Sequence, residues 1–339
     1  MNFGLGYVTT QIPPDDTRTE YAKYHEAVEM AELADAVGFD SIWLSEHHDE
    51  DDRYLSTMFP MAAAMAQATS QITIGTAIVL APFYEPLRLA EDAAAIDILS
   101  DGRFELGMSI GYRDREFEHF DIPRSERVPR MVDALEVCRR GWAGERFTYD
   151  GEIYSYDDIR ATPTPPSGSD LPIHIGAMAE PAIRRAARIA DGVIIVHTPP
   201  IDQLETMFGW VEDEGAQKGE FTRILFREAF VADSDEEAWE AMKPGSYYLN
   251  NRYVEEFDRC SDDVEFPAPE EHARSWALTG SPDELVEEIL EFSHLLAEDD
   301  HLVVRLEYPG MDHDVAMEAI ERFGREVIPR VNVALGDAR

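Results

Sequence analysis

Residues 36–48 read AVGFDSIWLSEHH and hold the end of one helical pattern and the whole of the next strand. Gly38 stands where the helical pattern stops, and glycine commonly closes a helix because it adopts left-handed backbone angles without strain. The apolar run that follows predicts a strand over Ser41–His47. This stretch therefore predicts a helix, a tight connection and a strand with polar residues at its carboxyl end.

The same succession of a short apolar strand and a longer amphipathic helix continues along the chain. Eight such units predict a parallel sheet covered by helices, and we expect an α/β (β/α)8 TIM barrel with insertion segments. An open doubly wound sheet also accommodates eight units, but no GxGxxG opens the first helix, which disfavours a dinucleotide-binding Rossmann fold. The predicted strands are Asn2–Val8, Ser41–His47, Ile72–Val79, Phe104–Ile110, Pro172–Ala177, Gly192–Val196, Arg223–Val231 and His301–Tyr308. The predicted helices are Glu20–Val37, Pro60–Ala68, Pro86–Leu99, Glu126–Ala143, Glu180–Ala190, Ile201–Gly215, Asp235–Asn250, Pro282–Leu296 and Asp314–Arg330.

Two segments interrupt the repeat. Arg146–Ile159 alternates apolar and polar residues around Asp150-Gly151, which predicts a β-hairpin. Asn251–Ser275 is acidic and poorly periodic, and its length is typical of a loop that covers one end of a barrel. We expect both segments to be insertions in one domain that spans residues 1–339.

The charge of the chain is unusual, with 69 Asp and Glu residues against 29 Lys and Arg and a net charge of −40. Repulsion of this size is screened at molar salt, where the Debye length is about 3 Å. We interpret the composition as halophilic adaptation to a saline cytoplasm; an acidic surface that recruits a basic partner is the alternative. Binding to nucleic acid through a phosphate-neutralising patch is not expected.

Several classes of protein are disfavoured by what the sequence lacks. No run of 18 apolar residues could span a membrane, and the first residues lack the features of a signal peptide, so we expect a cytoplasmic protein. Cys138 and Cys260 lack CxxC partners, and we therefore expect neither a metal site nor a disulfide.

The active site of a βα barrel lies at the carboxyl ends of its strands, and the densest polar cluster there is Ser45-Glu46-His47-His48. Alternation along the strand predicts that one of Glu46 and His47 points inward and that the other supports it. A histidine beside a carboxylate can act as an acid, a base or a hydrogen-bond donor near neutral pH. We expect His48 to be a solvated loop residue.

Other strand ends give weaker indications. Gly176–Pro181 could place backbone N–H groups against a phosphate at a helix N-terminus, or form an ordinary tight turn. Arg113 and Arg115 could line a phosphate pocket, or pair with Glu116 and Glu118. Arg103 precedes its strand and belongs at the opposite end of the barrel, and the aromatic residues Trp276, Tyr247 and Tyr248 could form a pocket wall or part of the core.

Several of these pieces, in this order, resemble the luciferase-like monooxygenase family, and the similarity extends over nearly the whole chain. Members adopt a (β/α)8 barrel, commonly form homodimers, and bind reduced FMN, or a deazaflavin in some branches. The resembling stretches are GFDSIWLSEHH at 38–48, IGTAIVLAPFYEPLRLAED at 74–92, LSDGRFELGMSIG at 99–111, RRAARIADG at 184–192 and TGSPDE at 279–284.

The resemblance implies a role for particular residues. His47, with Glu46, matches the histidine that lies near the flavin ring and assists the oxygen chemistry. Ala77-Ile78 matches a pair joined by a non-prolyl cis peptide bond under the ring, and Tyr7 lies at the corresponding end of the first strand. The loop that meets the flavin phosphate corresponds to Gly176, Ala177, Met178 and Ala179, and the phosphate end of the strand-four loop to Ile110 and Gly111.

This chain also departs from the luciferase catalytic subunit. An arginine that grips the phosphate there is Ile110 here, and a glutamate and a serine of the strand-five loop are Met178 and Ala179. Phosphate binding would then depend on backbone amides or on nearby arginines.

The resemblance implies a monooxygenase that takes reduced FMN from a separate flavin reductase and reacts with O2 and a small organic substrate. A deazaflavin-dependent hydride-transfer enzyme is the first alternative, although those branches more often carry Asp-His where this chain has Glu46-His47. A non-catalytic flavin-binding subunit is the second alternative, and the presence of His47 disfavours it.

Overall fold

The computed structural model describes residues 1–195, 199–257, 274 and 277–337, and its centre is a closed barrel of eight parallel strands. In sequence, and in order around the barrel, they are β1 (Asn2–Val8), β2 (Ser41–Leu44), β3 (Thr73–Thr76), β5 (Phe104–Ser109), β8 (Ile173–Gly176), β9 (Gly192–Ile195), β10 (Thr222–Val231) and β12 (His301–Arg305). β12 pairs with β1 and closes the ring. All eight predicted barrel strands, and the barrel itself, are confirmed.

The helices cover the outside of this barrel. They are α1 (Glu20–Val37), α2 (Met58–Ala68), α3 (Pro86–Ser100), α4 (Asp114–His119), α5 (Arg127–Trp142), α6 (Glu180–Ile189), α7 (Ile201–Asp213), α8 (Asp235–Phe257), α9 (Pro282–Phe292), α10 (His313–Arg322) and α11 (Ile328–Asp337). The sequence did not predict α4, nor the short strands β4 (Val79–Leu80) and β11 (Leu278–Gly280), which extend β5 and β10. No helix in the described part of the chain is long and apolar enough to cross a membrane.

The predicted hairpin is confirmed, since β6 (Phe147–Asp150) and β7 (Ser155–Ile159) pair in antiparallel register. The acidic insertion predicted at 251–275 begins later than expected, because α8 continues as helix to Phe257. Most of the remainder of that segment, with Cys260, Ser275 and Trp276, lies outside the described residues.

The amino end of the barrel is filled by Trp43, whose ring occupies space that two glycines leave. A Cβ at Gly75 would lie 2.2 Å from the Trp43 ring, and one at Gly4 would lie 2.7 Å from Ser41 Oγ. Trp43 Nε1 donates to Ser41 Oγ at 2.9 Å, and that oxygen lies 2.9 Å from His301 Nδ1. Tight packing and paired polar groups make this end a rigid base.

Arg103 lies at the same amino end, as its place before β5 predicts. Its guanidinium donates to the carbonyls of Ala66, Thr69 and Ile72 and to Ser100 O, and so caps the C-terminus of α2 and ties it to the start of β3 and the end of α3.

Candidate active site

The polar cluster at the carboxyl end of β2 lies at the mouth of the barrel, but its internal pairing differs from our expectation. β2 ends at Leu44, so strand alternation does not extend to Glu46 and His47. Glu46 does not support His47. Its carboxylate accepts hydrogen bonds from Tyr84 Oη at 2.7 Å and the Leu80 amide at 3.1 Å, and it lies 2.7 Å from His48 Nε2.

His47 is supported instead by Glu116, a residue of α4. His47 Nδ1 lies 3.0 Å from Glu116 Oε1, and the same oxygen accepts the His48 amide at 2.9 Å. Burial and the nearby Arg113 lower the pKa of His47 and outweigh the opposing effect of Glu116. His47 is therefore neutral at pH 7, and Glu116 selects the tautomer with hydrogen on Nδ1.

Three tyrosines surround the His47 ring. Their ring centroids lie 4.9 Å (Tyr54), 5.7 Å (Tyr112) and 6.5 Å (Tyr253) from it, all edge-on. Tyr253 belongs to α8, so this helix contributes to the wall of the mouth. The tyrosine cage, as we call these three residues, covers most of the histidine, which is 6% exposed, and its Nε2 has no hydrogen-bond partner among the described residues.

His48 is not the solvated residue that we expected. It is half-buried, its ring packs 4.8 Å from that of Phe120, and it pairs with Glu46. Burial lowers the pKa of His48, but the hydrogen bond and charge of Glu46 outweigh burial and the net shift is upward. The pKa values of these two adjacent histidines are thus shifted in opposite directions.

The two arginines after β5 neither pair with Glu116 and Glu118 as ion pairs nor stand free for a phosphate. Arg113 and Arg115 both bond to Glu50, which is buried, and Arg252 of α8 donates to the other oxygen of Glu50 at 2.8 Å. Three guanidinium groups on one carboxylate fix the positions of the loops after β2 and β5 and of α8.

The floor of the mouth is apolar and partly aromatic. Tyr7 stacks on Phe226 with ring centroids 4.3 Å apart, and both pack with Ala77 and Ile78 over Trp43. The peptide bond between Ala77 and Ile78 is cis, as the resemblance implies, and so is the bond between Gly6 and Tyr7.

The loop after β8, the fifth barrel strand, offers fewer free backbone amides for a phosphate than the sequence suggested. Gly176 leaves room for Ile78, because a Cβ there would lie 1.9 Å from Ile78 Cδ1 and the side chain would have to move. The Ala177 amide already donates to Ile194 O at 3.0 Å, and so it cannot bind a phosphate. Ala179 is the N-cap of α6, whose first turn has no side-chain cap.

Two arginines not singled out from the sequence lie beyond this loop. Arg127 begins α5, and Arg185 lies in α6 on the adjoining unit. Burial and the charges of Arg127 and Arg188 lower the pKa of Arg185. Within the described ranges, Arg185 has no carboxylate at ion-pair distance. The guanidinium of Arg185 thus lies near those of Arg127 and Arg188.

The other residues that the sequence suggested for the site are half-buried or in contact with other side chains. Ile110 and Met178 pack half-buried against the core, and Gly111 adopts a positive φ of 69°. Tyr248 Oη donates to Asp52 at 2.8 Å and Tyr247 packs on Trp239, so both lie against protein.

Two charged residues at the mouth were not assigned a role from the sequence. Glu228, at the carboxyl half of β10, accepts a hydrogen bond from Ser246 Oγ at 2.5 Å, and burial raises its pKa. Arg305 ends β12, is buried, and donates to Glu307 O and to Thr9 Oγ1. Its guanidinium lies 5.6 Å from the Tyr7 ring.

Comparison with known proteins bears on this geometry. Residues 1–299 match the family described as luciferase-like monooxygenase. The oxygenase component of a flavin-dependent trigonelline monooxygenase from Acinetobacter baylyi is 28% identical over 247 residues, which cover 69% of this chain and 67% of the relative. An F420-dependent glucose-6-phosphate dehydrogenase from Microbacterium testaceum is 28% identical over 333 residues, covering 91% and 93%. A monooxygenase from Streptomyces bottropensis superposes with a TM-score of 0.85 at 23% identity, covering 97% of this chain and 99% of its own.

Proposed function

Because the chain belongs to the luciferase-like monooxygenase family, we propose that it is a monooxygenase that uses reduced FMN and O2 on a small organic substrate. The family consists of oxidoreductases that use FMN or F420. The single observation that carries the proposal is the buried, neutral His47, held by Glu116 and enclosed by tyrosines at the mouth of the barrel.

The floor of the mouth fits a flavin ring. Flavin rings are largely apolar, and so is the cluster formed by Ala77, Ile78 and the stacked pair Tyr7 and Phe226. Gly176 keeps Ile78 in place at the edge of this surface.

The phosphate would be held by arginines and the α6 N-terminus rather than by the Ala177 amide. Burial and the positive charge of Arg127 lower the pKa of Arg185, and a dianionic phosphate bound beside Arg185 would offset the repulsion between the two arginines. The amides of Met178 and Ala179 at the uncapped start of α6 would add donors. These residues take the place of the arginine that the luciferase subunit carries at the position of Ile110.

A bound reduced flavin supplies the electrons that activate O2. The protein's own residues exchange protons and limit the access of water. Glu116 keeps the hydrogen of His47 on Nδ1, which leaves Nε2 as the atom that accepts or returns a proton. The tyrosine cage around His47 limits the access of water to that nitrogen. Glu46 acts one step away, because it positions His48, Tyr84 and the start of β4.

Hydride transfer with deazaflavin F420 is the second candidate. The similarity to an F420-dependent dehydrogenase over 91% of the chain favours it. In that case His47 would donate a proton to, or orient, the group that receives hydride. The partners that we propose are a flavin reductase, as two-component relatives imply, and a second copy of the chain in a homodimer.

The test is an anaerobic titration in molar KCl with reduced FMN and reduced F420 side by side. We expect tight binding of FMN, followed by a spectral change of the bound flavin when oxygen is admitted. Selective binding of F420 with no oxygen-dependent change would contradict the monooxygenase proposal and support hydride transfer.

Arg185→Gln tests the phosphate assignment in the same titration. We expect affinity for reduced FMN to fall about tenfold, while affinity for riboflavin, which lacks the phosphate, stays unchanged. Arg188→Gln is the matched control, because this neighbour already pairs with Glu214. Equal losses for FMN and riboflavin would show that Arg185 does not bind the phosphate.

A further inference from the structure

Three segments meet at one side of the mouth around the side chain of Asp52. Gln11, in the loop after β1, donates its Nε2 to Asp52 Oδ2 at 2.7 Å, and Tyr248 of α8 donates its hydroxyl to the same oxygen at 2.8 Å. The Ile12 amide donates to the Asp52 carbonyl at 2.7 Å. All these hydrogen bonds leave the second carboxylate oxygen of Asp52 unused.

Three buried oxygens in this place have no hydrogen-bond partner: Asp52 Oδ1, Gln11 Oε1 and Thr10 Oγ1. The three residues are 4%, 3% and 4% exposed, so bulk water does not satisfy them. Within the described ranges, no Lys, Arg or His lies at ion-pair distance from Asp52. The charge of Arg252 acts on Asp52 from beyond ion-pair distance, but Asp52 Oδ1 and Gln11 Oε1 still lack a direct partner, which is costly unless a positive or hydrogen-donating group binds them.

We propose that Asp52, Gln11 and Thr10 form a binding site for a small cation. The donor set is oxygen alone, which suits hard cations such as Na⁺ and K⁺ and does not suit softer transition metals. A primary ammonium group has the same chemistry, with three N–H donors for three acceptors. In that second case the cation is an amino group of the substrate, and this part of the inference rests on the proposed function.

The position of the site links it to the mouth. Asp52 lies two residues before Tyr54, whose ring is part of the tyrosine cage, and Tyr248 lies one helical turn and a half before Tyr253 on α8. A bound cation would hold the loops after β1 and β2 against α8, and so stabilise the wall around His47.

The experiment measures thermal unfolding of the full chain without flavin, at constant ionic strength, with choline chloride as the background salt. Choline screens charge but has no N–H donor, and its cationic nitrogen is covered by methyl groups. Replacing part of it by NaCl, KCl or methylammonium chloride is expected to raise the unfolding midpoint by about 2 °C at ten times the dissociation constant. A rise with Na⁺ or K⁺ identifies a metal cation, and a rise with methylammonium alone identifies an ammonium site.

Asp52→Asn separates this site from general screening of the acidic surface. The new amide can donate to Gln11 Oε1 while its oxygen still accepts from Tyr248, so the selective rise should disappear. Asp51→Asn is the matched control, because it removes the same charge from the exposed neighbouring residue and should keep the rise.

Equal midpoints in choline and in all three other salts would overturn the proposal, as would an undiminished rise in Asp52→Asn. The comparison among salts needs no variant, so a misfolded Asp52→Asn protein would leave the test valid. Since neither flavin nor turnover is measured, failure here is distinct from failure of the proposed function.

Discussion

The two ends of the barrel pair their buried polar groups differently. At the amino end, Ser41 connects Trp43 and His301, and Glu105 lies 3.0 Å from His174. Within the described part of the chain, the buried side-chain oxygens that lack a partner lie at the mouth, whereas the unpartnered buried atoms at the amino end are two nitrogens, Nδ1 of His174 and Nε of Arg223. These oxygens belong to Thr10, Gln11, Asp52 and Glu116.

Positive φ angles of residues with side chains occur at both ends, since Asp101, which follows α3 and precedes β5 at the amino end, has a φ of 59°. Thr10, Asp49 and Arg53, all in loops at the mouth, have positive φ angles of 54°, 56° and 58°. Each such conformation costs on the order of 1–3 kcal/mol for a residue with a side chain, and most of all for a β-branched one. The mouth is therefore distinguished by its unused oxygen acceptors, which lie at the end of the barrel where a ligand would bind.

The largest effect that would separate the two ends is expected from His47→Ala. Product formation should fall by about 10²–10⁴-fold, because the proton-exchanging nitrogen is lost, while flavin affinity changes little. Turnover and flavin titration of the same preparation measure both. His48→Ala is the control, and a product yield in His47→Ala equal to that of the native protein would remove the role assigned to this residue.

Arg103→Ala should show the reverse behaviour at the amino end. Loss of the guanidinium bonds to the carbonyls around the end of α2 is expected to lower the free energy of unfolding by about 3 kcal/mol. Denaturant unfolding measures this, and turnover per folded molecule should not change. Arg88→Ala, at an exposed arginine paired only within α3, should cost less than about 0.5 kcal/mol.

Glu116→Gln sharpens the comparison within the mouth. Without the carboxylate, His47 is no longer held in one tautomer, and we expect product formation to fall about tenfold or more, with an altered pH profile. Glu46→Gln should have the smaller effect on the pH profile, because Glu46 contacts His48 and not His47. A larger effect of Glu46→Gln than of Glu116→Gln on the pH profile would support the pairing of His47 with Glu46 that the sequence suggested.

The smallest expected effect is that of His47 and His48 on the pH dependence of stability. The pKa of His47 in the folded protein lies below 6.5, so the unfolded chain binds its proton first as the pH falls, and stability decreases below pH 6.5. The pKa of His48 lies above 6.5, so its contribution is complete below pH 6.5 and is lost as the pH rises through the folded value.

Unfolding at pH 5.8 and 7.8 measures these contributions. His47→Asn should make the protein relatively more stable at pH 5.8, and His48→Asn relatively less stable, each by on the order of 1 kcal/mol. The same sign for both variants would contradict the assigned directions.

The barrel was predictable from the sequence because each βα unit is a local pattern. Apolar strands and glycine-terminated helices are encoded within a few residues, as Gly38 and Ile42 illustrate, and Gly38 indeed has a φ of 99° at the end of α1. Strand ends were predicted less well. β2 and β12 stop at Leu44 and Arg305, before the polar residues that we had included, because the side chains of Glu46 and Glu307 bond to Tyr84 and to Lys23 of α1 instead of lying in a strand ladder.

The support of His47 could not be predicted because it is not local. Glu116 lies 69 residues from His47 in sequence, and its helix, α4, is short and interrupts the regular repeat. The acidic residue adjacent to His47 in sequence was the natural choice, but the backbone turns after Leu44 and directs Glu46 towards Tyr84. The unpaired oxygens of Gln11 and Asp52 follow no spacing rule, because they come from two different loops.

Glu50 has a consequence for how the mouth becomes ordered. Its carboxylate binds Arg113 and Arg115, which follow β5, and Arg252 of α8. The side chain of Glu50 is 3% exposed. If the loop that carries Glu50 moves away, the three arginines lose their common partner and are left as like charges close together. The rim should therefore open and close as one cooperative unit rather than loop by loop, so that access for a substrate is an all-or-none event.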